Sequence, residues 1–206
     1  MYIAHRINSS DLANDLPLEY GIEFDVRDSN GRLIVTHDPF TDGEQLEDFL
    51  KNISVKRFLI VNVKCEGIEL NILELLKKYK FENFFFLDCS FPAIVKLSKM
   101  GENRIALRFS EFENLANVID NKDKATWVWV DCFSYFPLTK KIEEVLHAHN
   151  INICIVSPEL QGQPEKIEVY KNYIKENNIS VDAICTKSYN IKHKNKLAFK
   201  IIKLTK

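Results

Sequence analysis

The chain has 206 residues, 46% hydrophobic and 28% charged, with a net charge of −1 and no low-complexity tract. That is a globular composition, long enough for one sizeable core, so a single domain over 1–206 is expected and there is no global case for nucleic acid. Charge is uneven: residues 191–206 hold six lysines and no acid, leaving 22 basic against 29 acidic residues elsewhere.

Short apolar β-rich runs recur at 2–4, 22–26, 58–63, 84–87, 105–109, 127–130, 151–156 and 183–186, with 32–36 as an extension of the second. Helical periodicity fills most gaps. Ile68, Ile72, Leu75, Leu76 and Tyr79 form one apolar stripe. Ile142, Val145, Leu146 and His149 repeat it after Pro137, and Ile167, Tyr170, Tyr173 and Ile174 after Pro164. Shorter helices are expected at 43–51, 91–100 and 111–119, and a last helix or strand with a lysine-rich outer face at 191–206. Runs such as FLIVNV and INICIV are apolar almost throughout, which suits parallel strands buried on both faces. Eight strand–helix alternations mean an α/β fold, with a compact TIM (β/α)8 barrel first and a doubly wound open sheet second.

No apolar run approaches the ~20 residues of a membrane span, and MYIAH followed by Arg6 and Asn8 does not fit a secretion signal. Cys65, Cys89, Cys132, Cys154 and Cys185 form no CxxC pair. All but Cys65 lie in or beside apolar runs, as reduced thiols of a cytoplasmic protein would.

Residues 20–39, YGIEFDVRDSNGRLIVTHDP, carry the chemistry. They read as a strand, a Ser29-Asn30-Gly31 turn and a second strand that delivers His37 and Asp38. Alternation puts Glu23 and Asp25 on one face of the first strand. Two carboxylates inside GIEFDV are costly to bury unless paired or metal-bound. In a barrel the active site gathers at the C-terminal strand ends. Those positions hold His5 and Arg6, Asn62 and Lys64, Asp88 and Ser90, Arg108 and Ser110, Asp131, Ser157 and Glu159, and Lys187. Acids for a cation, histidines for proton transfer and Arg or Lys for an anion are the mixture that phosphoryl chemistry asks for. His147, His149 and His193 are expected at the surface.

These residues resemble the glycerophosphodiester phosphodiesterases, within the PI-specific phospholipase C-like phosphodiesterases. His5-Arg6 resembles the family's His-Arg-Gly opening. GIEFDVRDSNGRLIVTHDP is similar to its Gly-x-x-x-Glu-x-Asp-Val…Asp-Gly…Val-x-His-Asp block. Asn62-Val63-Lys64 falls where the family has Glu-x-Lys, Ser90-Phe91 resembles the Ser-Phe ending strand 4, and residues 181–186 resemble its closing Val-Asp-Gly-Ile-x-Thr. The resemblance implies a TIM barrel with a β-hairpin extension after strand 2, binding one divalent cation, Mg²⁺ or Ca²⁺. It implies His5 and His37 as the catalytic pair, Arg6 and Lys64 on the phosphate oxygens, and Glu23, Asp25 and Asn62 as metal ligands. Asp88, Arg108, Asp131, Glu159 and Lys187 are candidate substrate contacts.

Departures accompany the match. Ile7 replaces the glycine, the Pro-Glu-Asn-Thr segment is missing, and only 17 residues separate His5 from Glu23. The insertion after His-Asp is also missing, so Asp42-Gly43 is expected to lead directly into a helix. Asn62 replaces the third acid, with Asp88 or Glu159 as candidates to supply the charge. Strand 7 ends in VSPE and strand 8 in Thr-Lys. The expected activity is metal-dependent hydrolysis of a small phosphodiester, glycerophosphodiester-like or polyol- or nucleotide-linked. A catalytically silent barrel binding a phosphorylated ligand and a metal-independent phosphorus–oxygen lyase are the two alternatives.

Overall fold

A computed structural model describes residues 1–192, so the expectation for the lysine-rich run, and His193 with it, lies from residue 193 on outside the described residues. The chain opens with β1 (Tyr2–Ala4) and divides into two compact units, one of Ala4–Ile105, the other of Met1–Ile3 with the residues from Ala106 on.

In the first unit the 17 residues between His5 and Glu23 hold one short helix, α1 (Ser10–Asn14). Ser9 caps it by accepting from the Leu12 N–H. β2 (Gly21–Ser29) follows, and its first six residues are buried, as an apolar strand covered on both faces requires. Asn30 and Gly31 both take positive φ, 53° and 79°, the two-residue turn whose twist suits a hairpin. β3 (Arg32–Val35) therefore returns antiparallel, with Val26 opposite Val35.

The direct passage from Asp42-Gly43 into a helix is not found. β4 (Glu44–Gln45) first pairs with β3, and α2 (Leu46–Asn52) starts only at Leu46. The cause is at Gly43, where a Cβ would stand 2.5 Å from the Val35 carbonyl oxygen. The bare backbone packs against β3 and continues its ladder. Glu44 then accepts from the N–H and hydroxyl of Ser10, both at 2.7 Å.

β5 (Leu59–Val63), α3 (Glu69–Lys78), β6 (Phe84–Leu87) and α4 (Phe91–Lys99) complete this unit. β5 lies between β2 and β6, parallel to both. The β2–β5 register sets Asp25 beside Asn62. Phe24 from β2 meets Phe49 of α2 at 4.7 Å between ring centroids, and Ile72 and Leu76 of α3 are fully buried.

The second unit continues with β7 (Ala106–Phe109), α5 (Leu115–Asp120), β8 (Trp127–Val130), α6 (Lys140–Ala148), β9 (Asn152–Val156), α7 (Ile167–Glu176), β10 (Ala183–Thr186) and α8 (Ser188–Lys192). β7, β8, β9 and β10 pair in that order, all parallel. α5 is shorter than the stretch 111–119 expected for it. The Ser110 hydroxyl accepts from the N–H groups of Phe112 and Glu113 and holds 110–113 as a turn, so the helix waits for its Asn114 cap. His147 is not the plain surface residue expected. It is half-buried, its ring nitrogens 2.9 Å from Glu143 Oε1 and 3.0 Å from Asp182 Oδ2. None of the five cysteines forms a disulfide, and Cys132, Cys154 and Cys185 are buried. No helix among the described residues is long and apolar enough to cross a membrane.

Candidate active site

The site is built on β2 and β5. Glu23 and Asp25, on one face of β2, are each 1% exposed. Across the register Asn62 donates its amide N–H to Glu23 Oε1 at 2.9 Å. The same side chain is buried, and its carbonyl oxygen Oδ1 has no hydrogen-bond partner. An orphaned buried acceptor is rare, because leaving one unmatched costs about 1–3 kcal/mol. Here it lies beside two carboxylates.

The loop after β1 closes over this pair. Arg6 takes a left-handed backbone (φ 56°), one residue before Ile7. That turn aims the Arg6 N–H at Glu23 Oε2, 2.7 Å away, and the Ile7 N–H at the Glu23 carbonyl, 2.8 Å away. His5 Nε2 stands 3.8 Å from Glu23 Oε2. Asn8 then clamps Asp25 twice. Its Nδ2 donates to the carboxylate and its Oδ1 accepts the Asp25 backbone N–H, both at 2.9 Å.

Lys64, just past β5, sets its ammonium 3.5 Å from Asp25 Oδ1 and 3.3 Å from Asp88 Oδ2. Burial, and after it the charge of Asp25, pushes the Glu23 carboxyl above the usual carboxylate range. The Asn62 amide, the Arg6 N–H and the Lys64 ammonium pull the other way.

His37 stands at the end of the hairpin arm. Its Nδ1 is 2.7 Å from Asp38 Oδ1, and the Thr36 N–H donates to the Asp25 carbonyl at 3.0 Å. The His37 hydrogen bond, with the charges of Arg6 and Arg27 nearby, holds the Asp38 carboxyl below its ordinary range. Arg27 donates from Nε to the His37 carbonyl (2.8 Å) and from Nη1 to the Lys64 carbonyl (3.0 Å). Beside them a hollow of about 620 Å³ is lined by Arg27, Asp38, Phe40, Thr41, Asp42 and Cys65, among others.

Thus His5, Arg6, Glu23, Asp25, Asn62, Lys64 and Asp88 form one chain of contacts, to which Arg27 ties His37 through the Lys64 backbone. Among the described residues no three His, Cys, Asp or Glu side chains gather as a metal set. The donors here are two carboxylates and an amide carbonyl, all hard oxygens, which fit Mg²⁺ or Ca²⁺. The unmatched Asn62 Oδ1 is the observation favouring that fit.

The remaining expected residues lie in the second unit. Arg108 is hydrogen-bonded to Asp131 Oδ2, while Asp131 Oδ1 accepts from Trp129 Nε1 (3.3 Å) and Gln161 Nε2 (2.9 Å). Burial pushes the Asp131 carboxyl up to about 6, opposed by Arg108. Glu159 Oε1 accepts from the Thr186 hydroxyl, the Lys187 N–H (3.2 Å) and Asn190 Nδ2 (3.0 Å), and Oε2 from the Ser157 hydroxyl. Glu159 therefore holds the turn from β10 into α8.

Asn8 and Arg27 contribute to the site and are not among the expected residues. The closeness of Asn8 to His5 in the chain could flag the first, and the period of two, which sets Arg27 on the face of Glu23 and Asp25, could flag the second.

No family model and no curated protein matches the chain. Solved structures do. A glycerophosphodiester phosphodiesterase from Thermotoga maritima aligns with a TM-score of 0.68 at 19% identity, over 94% of this chain and 97% of that one. A putative glycerophosphoryl diester phosphodiesterase from Agrobacterium tumefaciens gives 0.69 at 12% identity, over 95% and 96%. A phosphodiesterase from Oleispira antarctica, in complex with its product sn-glycerol-3-phosphate, gives 0.65 at 16%, over 95% and 96%. At these identities the likeness is one of fold, and it establishes that this chain has the TIM-barrel fold of the glycerophosphodiester phosphodiesterases.

Proposed function

We propose that the chain is a divergent member of the glycerophosphodiester phosphodiesterase family, a cytoplasmic enzyme that hydrolyses a small phosphodiester with the help of one divalent cation. The observation that carries this reading is the buried Glu23–Asp25–Asn62 set, with its unmatched carbonyl oxygen and with His5 against Glu23. The fold it shares with a phosphodiesterase that holds sn-glycerol-3-phosphate supports the substrate class.

Glu23, Asp25 and Asn62 would hold the cation, which when bound supplies positive charge against the phosphoryl oxygens. Arg6 and Lys64 grip the same oxygens, Arg6 in a fork and Lys64 as a point charge. His5 takes a proton from the attacking water as the new P–O bond forms. His37 gives its proton to the departing alkoxide as the old bond breaks. Asp38 on Nδ1 leaves Nε2 of His37 to carry that proton.

The test is turnover of bis(p-nitrophenyl) phosphate and a phosphodiester panel in Mg²⁺, in Ca²⁺ and in EDTA. Turnover with metal that EDTA abolishes is expected. Turnover undiminished by EDTA would replace this reading with the lyase, and tight phosphate binding without turnover would replace it with the silent binder.

A further inference from the structure

The charge count of the site points beyond the reaction class. The oxygens of Glu23 and Asp25 already have partners. Glu23 Oε1 accepts from Asn62 and Oε2 from the Arg6 N–H; Asp25 Oδ2 accepts from Asn8, and Oδ1 faces the Lys64 ammonium at 3.5 Å. The acceptor left over, Asn62 Oδ1, is neutral. Affinity for a hard cation follows the number of charged ligands. Two carboxylates, one of them facing a lysine, make a weak site.

A phosphate group changes both sides of that balance. It brings an anionic oxygen to complete the ligand set, and it gives the Lys64 ammonium a third partner besides Asp25 and Asp88. A cation in turn offsets the two buried carboxylates that would repel the phosphate. Resting on the metal-dependent function proposed above, we infer that this centre binds its cation and the phosphate of its ligand cooperatively, each weakly alone. The neutral Asn62 at the third ligand position is the cause. Such coupling is reciprocal: phosphate must tighten the cation by the factor by which the cation tightens phosphate.

The experiment is calorimetric titration of Mg²⁺ and of Ca²⁺ into EDTA-stripped protein, with and without saturating sn-glycerol-3-phosphate, and of the phosphate with and without cation. Blank titrations remove direct ion pairing. A tightening of about tenfold or more, equal in both directions, is expected. Asn62→Asp should bind cation alone about tenfold more tightly and lose most of the coupling. A wild-type factor near one overturns the inference whether or not that variant folds. So does an absence of cation binding with and without phosphate. If EDTA still abolishes turnover in either case, the proposed function stands and only the cooperativity falls. If turnover resists EDTA, metal dependence falls as well.

Discussion

The candidate acids of the two units are held in opposite ways. In the second, Asp131 and Glu159 use both carboxylate oxygens on neighbours fixed by the fold: Arg108, Trp129 and Gln161 for one, Ser157, Thr186, Asn190 and a backbone N–H for the other. In the first, Glu23 and Asp25 are at least as buried, yet an acceptor beside them is unmatched and a lysine at 3.5 Å serves two carboxylates. Burial of a carboxylate therefore does not mark a functional site. What sets the first unit's acids apart is the combination: two buried carboxylates on one strand face, an unmatched amide oxygen across the register and a lysine shared with a third carboxylate.

The sharpest way to break this contrast is at His37, where the proposed chemistry predicts the largest effect. His37→Ala should lower kcat by on the order of 10²–10⁴, the usual worth of a positioned acid, while the urea midpoint stays put, since the ring is about one-third exposed. Full activity in that variant would remove His37 from the mechanism.

The opposite signature belongs to Asp131. Asp131→Ala leaves Arg108 and Trp129 without their acceptor and should cost about 2 kcal/mol in urea denaturation, less than a fully buried pair because Arg108 reaches solvent. Activity per folded molecule should be kept. A loss of kcat with unchanged stability would move Asp131 into the site.

The smallest effect is at His147, and it depends on pH. The hydrogen bond to Asp182, helped by Glu143, raises its folded-state pKa above the ordinary 6.5. Its contribution is then fully present below pH 6.5 and is lost as pH rises through the raised value. His147→Gln should be less stable than wild type by about 1 kcal/mol at pH 5.5, and the gap should narrow toward pH 9. A gap that widens with pH would mean that the ring is held neutral.

What the sequence made legible were the local signals. The hairpin follows from Asn30-Gly31 between two β-rich runs, and the shared face of Glu23 and Asp25 from the period of two. Both are properties of neighbours in the chain. The parts it concealed depend on partners far away. Asn8 matters because it reaches Asp25, 17 residues on, and Arg27 because it reaches the carbonyls of His37 and Lys64. β4 depended on the space above Val35, and the late start of α5 on the direction of one serine hydroxyl. The substitution of Asn62 was plain in the sequence. That its Oδ1 would be the unmatched atom was not, since an amide can be placed either way until Glu23 takes its N–H.

The double grip of Arg27 has a mechanical consequence. A guanidinium is planar and its donors keep a fixed spacing. With one donor on the His37 carbonyl and another on the Lys64 carbonyl, the end of the hairpin arm and the end of β5 move as a single jaw. The backbones that carry the proposed acid and the proposed phosphate-holding lysine are thus set at one spacing, and in the proposed reaction both side chains reach for the substrate from that common base.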